Sequence, residues 1–318
     1  MRTLPSVSAR RQRGFSLIEL LVALTLGVVV LGAAMGYLFR EMRSLAGSEI
    51  RQSVSRNGRY IGVSLRHDVQ KAGIDIESTV VFGTVKAWPG DYGDTLVVLH
   101  VPYLPQPAPV HSLVPPAGAD DPLTGDGTCG PRCIDLLKGP LLPLEIEPGD
   151  LARLQVRASR RLILIEDLVD ATDTTFQATF TEAPLILRQA AGLSGGLQLT
   201  RSGTFVQKLV PIIYYVDAEG QLHRAVRMDL DGSPVGDILA YGVERFEVKL
   251  VFFDGDELDQ ANPTDTDDSN DYDDIVAVRV SVTVAADRVD PRVNNGELVK
   301  RDYEWTISPR NLRYQRNR

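Results

Sequence analysis

Residues 20–39 contain no charged side chain. About 20 apolar residues, rising ~1.5 Å each, cross a bilayer as a helix, so this run predicts a membrane-spanning helix. Arg2, Arg10, Arg11 and Arg13 precede it. The positive-inside bias keeps them cytoplasmic and puts the chain beyond Phe39 outside. The pattern then changes without breaking. Met42, Leu45, Ile50, Val54, Ile61, Leu65, Val69 and Ala72 recur at helical spacing, with Arg43, Glu49, Arg51, Arg56, Arg59, Arg66 and Asp68 between them. No proline interrupts residues 15–72, and Gly73 supplies a stop. A continuous helix here would be about 85 Å long. Gly47, Gly58 and Gly62 are the expected places for a bend or break. The outer half is expected to lay its apolar stripe on a sheet.

After Gly73 the period falls to two. Residues 80–85, 95–101, 151–165, 174–180 and 185–188 read as strands. Residues 205–216, a turn at Asp217-Ala218-Glu219-Gly220 and residues 221–228 read as a hairpin. The strongest alternation is in 243–253 and 275–285. Val276, Val278, Val280, Val282 and Val284 are expected on one face, with Arg279, Ser281 and Thr283 on the other. Residues 303–307 form a last strand. Between the second and third strands, residues 102–148 make a long proline- and glycine-rich excursion.

Two features do not suit an ordinary signal peptide. No small-x-small cleavage site follows the apolar run, and a carboxylate, Glu19, sits inside its start, where charge is costly. Arg13-Gly14-Phe15-Ser16-Leu17-Ile18-Glu19-Leu20-Leu21-Val22-Ala23-Leu24 resembles the class III signal of type IV prepilins and pseudopilins. The resemblance implies that a prepilin peptidase cuts after Gly14 and N-methylates Phe15. It also implies an α+β, pilin-like fold, with a long membrane-spanning helix packed on an antiparallel β-rich globular domain. Residues 1–14 would then be the leader, 15–39 the transmembrane and assembly helix, 40–73 its amphipathic continuation and 74–318 the exported domain.

Glu19 has two readings. A carboxylate in lipid or in a filament core needs a cation, and the free amine of Phe15 on a neighbouring subunit would be one. Alternatively it favours only its own helix N-terminus. Gly32 and Gly36 form a GxxxG pattern that would let helices approach closely.

The stretch Arg56-Asn57-Gly58-Arg59-Tyr60, followed by Asp68 and Ala72-Gly73, resembles the helix end of PilW-type minor pilins. The 205–228 hairpin, Tyr241-Gly242-Val243-Glu244-Arg245-Phe246, Val276-Ala277-Val278-Arg279-Val280 and Ser308-Pro309-Arg310-Asn311-Leu312 follow the same family in order. The implied role is structural: a minor pilin of the type IV pilus that primes assembly near the filament tip. Its implied partners are the prepilin peptidase, other minor pilins and the major pilin. It would stand first in the inner membrane, with its C-terminal domain periplasmic, and then in the pilus at the cell surface. The rival readings are a J-like pseudopilin of type II secretion and a tip adhesin.

Charge bounds the partners. The chain carries 34 basic and 42 acidic residues, a net charge of −8. Loss of residues 1–14 leaves −12. So acidic a domain repels phosphate backbones, which argues against general nucleic-acid binding. Its two cysteines, Cys129 and Cys133, are four apart. Outside the cytoplasm a short-loop disulfide is expected. Free thiols, or half a metal site with His100 and His111 as the nearest histidines, are the alternatives.

The acidic loop Asp265-Thr266-Asp267-Asp268-Ser269-Asn270-Asp271-Tyr272-Asp273-Asp274 offers oxygens for a hard cation such as calcium, with Asp265, Asp267 and Asn270 as ligands. The EF-hand pattern fails, because position twelve is Val276. A solvated loop without any cofactor is the plainer reading. Gly192-Leu193-Ser194-Gly195-Gly196 fits G-x-S-x-G, but its flanks read as loop and strand rather than strand and helix. No catalysis is expected.

Overall fold

The computed structural model describes residues 16–102, 111–112, 133–137, 146–156, 159–170, 172–173, 175–182, 204–263, 269–291 and 293–312. A single helix, α1 (Leu17–Val69), runs unbroken for 53 residues, about 80 Å at ~1.5 Å per residue. Ser16 caps it. The Ser16 hydroxyl accepts from the Glu19 amide at 3.2 Å, and the Glu19 carboxylate accepts from the Ser16 amide at 3.0 Å. This is a capping box, which satisfies two of the helix's orphan N–H groups. The helix ends at Val69, earlier than the Gly73 stop expected from sequence. Ala72 and Gly73 belong to the turns that follow, where the Gly73 amide bonds the Leu99 carbonyl.

The expected breaks do not occur. Residues 16–45 are exposed throughout, whereas Gly47, Ile50, Val54, Gly58, Ile61, Gly62, Leu65, Asp68 and Val69 form one buried stripe. Two of its glycines are there for close approach. A Cβ at Gly58 would lie 2.1 Å from the Tyr303 ring, and one at Gly62 would lie 2.6 Å from the Trp305 ring. Those rings stack on each other, 5.6 Å between centroids. Gly62→Ala is therefore expected to destabilise the domain by about 1–2 kcal/mol by overpacking, although alanine improves helix propensity by up to ~1 kcal/mol. Denaturant unfolding of the detergent-solubilised chain reads the sign, and a stabilised variant would refute the wedge.

Fourteen strands follow among the described residues: β1 (Val85–Trp88), β2 (Thr95–His100), β3 (His111–Ser112), β4 (Cys133–Leu137), β5 (Leu151–Val156), β6 (Ser159–Asp170), β7 (Thr175–Glu182), β8 (Thr204–Val216), β9 (Leu222–Met228), β10 (Pro234–Ala240), β11 (Val243–Phe252), β12 (Glu257–Leu258), β13 (Ile275–Ala285) and β14 (Lys300–Ile307). All the pairings are antiparallel. One sheet runs β1-β2-β8-β5-β6-β7-β4, with β3 and β9 also on β8 and β10 on β9. The other runs β12-β11-β13-β14. The fold is α+β, a long helix on an antiparallel β-rich domain.

The long strand β8 joins the two halves of the larger sheet. It pairs with β5 along Thr204 to Leu209 and with β2 along Val210 to Tyr214. Strand β2 is buried on both faces, so its run is continuously apolar. Leu96 and Val98 face the helix with Ile61, Leu65, Val69, Phe246 and Val280, while Val97 and Leu99 face a second cluster with Leu162 and Ile213. A third cluster holds Leu136, Ile163, Phe176 and Val206.

Two strand expectations are corrected, and one strand is added. The first strand is at Val85–Trp88, not 80–85; residues 79–82 close a tight turn, and Val80 and Val81 are half exposed. Strand β10 was not foreseen. Its Pro234 and Gly236 do not read as a strand, but Gly236 is required, because a Cβ would lie 2.2 Å from the Arg224 carbonyl oxygen. At β13 a bulge skips Val276. Phe252 pairs with Ile275 and Val251 with Ala277, so Ile275 takes the core place expected for Val276, while Val278, Val280, Val282 and Val284 face inward as foreseen.

Candidate functional site

The apolar half of α1 has no cover from its own domain. Leu17, Leu20, Leu24, Val28, Leu31 and Phe39 are all exposed. It is the one helix among the described residues long and apolar enough to cross a membrane. An exposed apolar surface of this extent marks a site that meets a membrane or another protein. The expected cleavage residues, Gly14 and Phe15, lie outside the described residues. Glu19 is described, and its observed partner is Ser16. The Ser16-x-x-Glu19 spacing is the sequence signal of that capping box. Around Gly32 and Gly36 nothing approaches within 4 Å of an added Cβ.

Beyond the membrane run the helix turns basic. Residues 40–71 carry seven basic and three acidic side chains, and residues 72–318 carry 23 and 38. Arg56, Arg59 and Arg66 share an exposed face with Tyr60 and Val63. Beside it a cavity of about 540 Å³ is edged by Arg301, Tyr303 and Trp305.

The other end of the helix is latched. Asp68, one of the charged residues lying between the apolar positions of the helix, is fully buried. Arg224 grips it with two hydrogen bonds, Nε to Oδ2 at 2.6 Å and Nη2 to Oδ1 at 3.0 Å. The Tyr214 hydroxyl donates to Oδ2 at 2.6 Å, His67 Nδ1 lies 3.1 Å from Oδ1, and Lys71 Nζ lies 3.6 Å from it. Burial pushes the carboxyl up, but hydrogen bonds from Arg224 and Tyr214 outweigh it and hold the pKa below the usual carboxylate range. One side chain thus joins the helix to β8 and β9.

Nearby, His100 is buried, with no partner for Nδ1. Burial, then the charge of Lys71, lowers its pKa to about 4. The unfolded chain binds this proton near pH 6.5 and the folded chain only near 4, so stability falls as pH drops between those values. The loss approaches about 3 kcal/mol. His100→Leu is expected to flatten that part of the stability–pH curve. Denaturation at pH 7 and pH 4.5 checks it; equal slopes in variant and parent would refute it.

The acidic loop brings together other residues than those expected. Asp265 and Asp267 lie outside the described residues. Asn270 turns the chain at φ 62, with its amide on Ser269. Instead, carboxylate oxygens of Asp271, Asp273 and Asp274 lie within 4.8 Å of one another, a donor type suited to a hard cation. Cys133 opens β4 and is buried; Cys129, its expected partner, lies outside the described residues. So does the 192–196 motif. His223, the histidine downstream of it, bonds Asp217 at 2.7 Å and stacks on Tyr215, closing the hairpin.

None of the curated proteins matches this chain. Among solved structures it is similar to a type IV-like pilin from Thermus thermophilus, at 9% identity over 82% of this chain and 97% of that one, with a TM-score of 0.34. Residues 9–35 match the prokaryotic N-terminal methylation motif. The matched motif leads into one long, half-uncovered helix followed by an antiparallel β-rich domain.

Proposed function

We propose that this chain is a PilW-like minor pilin, cut between Gly14 and Phe15, methylated on Phe15, and used to prime pilus assembly near the filament tip. The observation that carries the reading is the bare apolar half of α1, continuous with the half that packs on a domain which leaves it uncovered. In the inner membrane, lipid covers that surface. In the filament, the major pilin and other minor pilins do. The charge contrast between the basic outer helix and the acidic domain supports the same packing, because opposite faces of successive subunits attract. A Cys129–Cys133 disulfide belongs to this proposal, since the domain folds outside the cytoplasm. A J-like secretion pseudopilin would share the helix and the motif.

Mass spectrometry of the filament-borne protein is expected to find a chain starting at methylated Phe15. Residues 1–14 still attached in assembled filaments would overturn the reading. Loss of pili on deleting the gene separates the pilus role from the secretion role.

A further inference from the structure

Strands β5, β6 and β8 present two unlike faces. Ala152, Leu154, Ile163 and Val206 enter the third apolar cluster. The opposite face carries Arg153 across from Gln207, and Gln155 across from both Phe205 and Arg160. Farther along this face Leu151, Leu162, Leu164 and Leu209 are covered by Ile76 and Phe82 in the second apolar cluster, and the polar end is left beside it. The chain leaving the helix, Gly73 to Glu77, and the C-terminal Asn311 wall a cavity of about 610 Å³ over it, within the size range of small-ligand sites.

The floor is cationic. Arg153 is only 9% exposed. Its Nε donates to Gln207 Oε1 at 2.8 Å, and its guanidinium lies 5.1 Å from the Phe205 ring centre. Among the described residues no carboxylate pairs with it at ion-pair distance. Burial, then the charge of Arg160, lowers its pKa to about 10, so it remains a cation at neutral pH. Arg160 donates to Gln155 Oε1 at 3.2 Å and to the Glu77 carbonyl, and lies 3.9 Å from the Glu77 carboxylate. Glu77 and Asp75 reach Arg153 only as longer-range charges, so this buried cation has no contact partner of opposite charge among the described residues, which is costly unless something supplies one.

We propose that this cavity binds an acidic monosaccharide, its carboxylate taken by Arg153 and Arg160 and its hydroxyls by Asp75, Gln155 and Asn311. The planar guanidinium fork matches a carboxylate. The two acidic residues of the wall, Asp75 and Glu77, repel a dianionic phosphate more strongly than a singly charged carboxylate, and they accept hydrogen bonds from sugar hydroxyls. This site is independent of the assembly role.

The test is calorimetric titration of the full chain in detergent micelles with glucuronate, glucose and inorganic phosphate. Glucuronate is expected to bind with a millimolar or tighter Kd, glucose not at all, and phosphate more weakly. Arg153→Gln and Arg160→Gln are each expected to weaken glucuronate by about tenfold or more. If Arg153→Gln fails to fold, Arg160→Gln, at a partly exposed side chain, decides alone. No heat from glucuronate, equal binding of phosphate, or an unchanged affinity in Arg160→Gln would each overturn the assignment.

Discussion

Asp68→Ala is expected to lower the stability of the folded domain by about 3–5 kcal/mol, the usual cost of breaking a buried ion pair from one side. The carboxylate is wholly inside and takes hydrogen bonds from Arg224, Tyr214 and His67. Its removal strands the Arg224 guanidinium and leaves the buried Tyr214 hydroxyl without its acceptor. Arg224 is 29% exposed, so water recovers part of the loss and the lower end of the range is expected. The pH dependence has a definite sign. A carboxyl held below its unfolded pKa stabilises the fold above that value and loses its contribution as pH falls through the folded one. The variant should therefore lose an acid-side slope that lies below the His100 window. Adding Arg224→Ala to Asp68→Ala should cost much less than the two single losses together, because the stranded charge is gone. A loss under about 1 kcal/mol for Asp68→Ala, or strict additivity in the cycle, would show that the latch carries little of the fold. The latch adds to the buried stripe that packs the helix on the domain, so its loss loosens the end of the helix against β8 and β9 without freeing the whole helix.

What the sequence made legible was what repeats. The 20–39 run and the 3.6-residue stripe after it predicted a helix that the structure draws unbroken. The alternation in β9, β11 and β13 predicted three strands. What stayed hidden depended on partners far along the chain. Gly58 and Gly62 read as weak points because the rings that fill them, Tyr303 and Trp305, lie more than 240 residues away. Asp68 was grouped with the other charges between the apolar positions, although its place three after Leu65 and four before Ala72 puts it on the buried stripe. That spacing was the available signal. Arg224, its counter-charge, sits in a hairpin strand where an alternating arginine looks like solvent-side filler. The floor of the cavity over β5 was hidden for the same reason: Arg153 and Gln155 alternate with apolar residues as in any half-exposed strand, and only the chain past the helix closes over them.

At the membrane end, Glu19→Ala is expected to leave insertion intact while cutting incorporation into filaments by more than tenfold. The capping box gives Glu19 a local duty, since its carboxylate holds the Ser16 amide at 3.0 Å. That duty is worth about 1 kcal/mol at an exposed helix start, too little to stop a long apolar helix from entering lipid. Inside a filament the balance differs. A carboxylate among packed helices needs a cation, and the proposed amine of a neighbouring Phe15 lies at the same end of the chain. Two further variants separate the duties. Glu19→Gln can still close the capping box, because glutamine serves at that position, but it carries no charge. Ser16→Ala removes the cap and keeps the charge. Purified filaments probed for this subunit should therefore lack Glu19→Gln and retain Ser16→Ala. If instead Glu19→Gln assembles normally and Ser16→Ala does not, the carboxylate serves only its own helix. The force that recruits this subunit would then lie in the bare apolar surface alone.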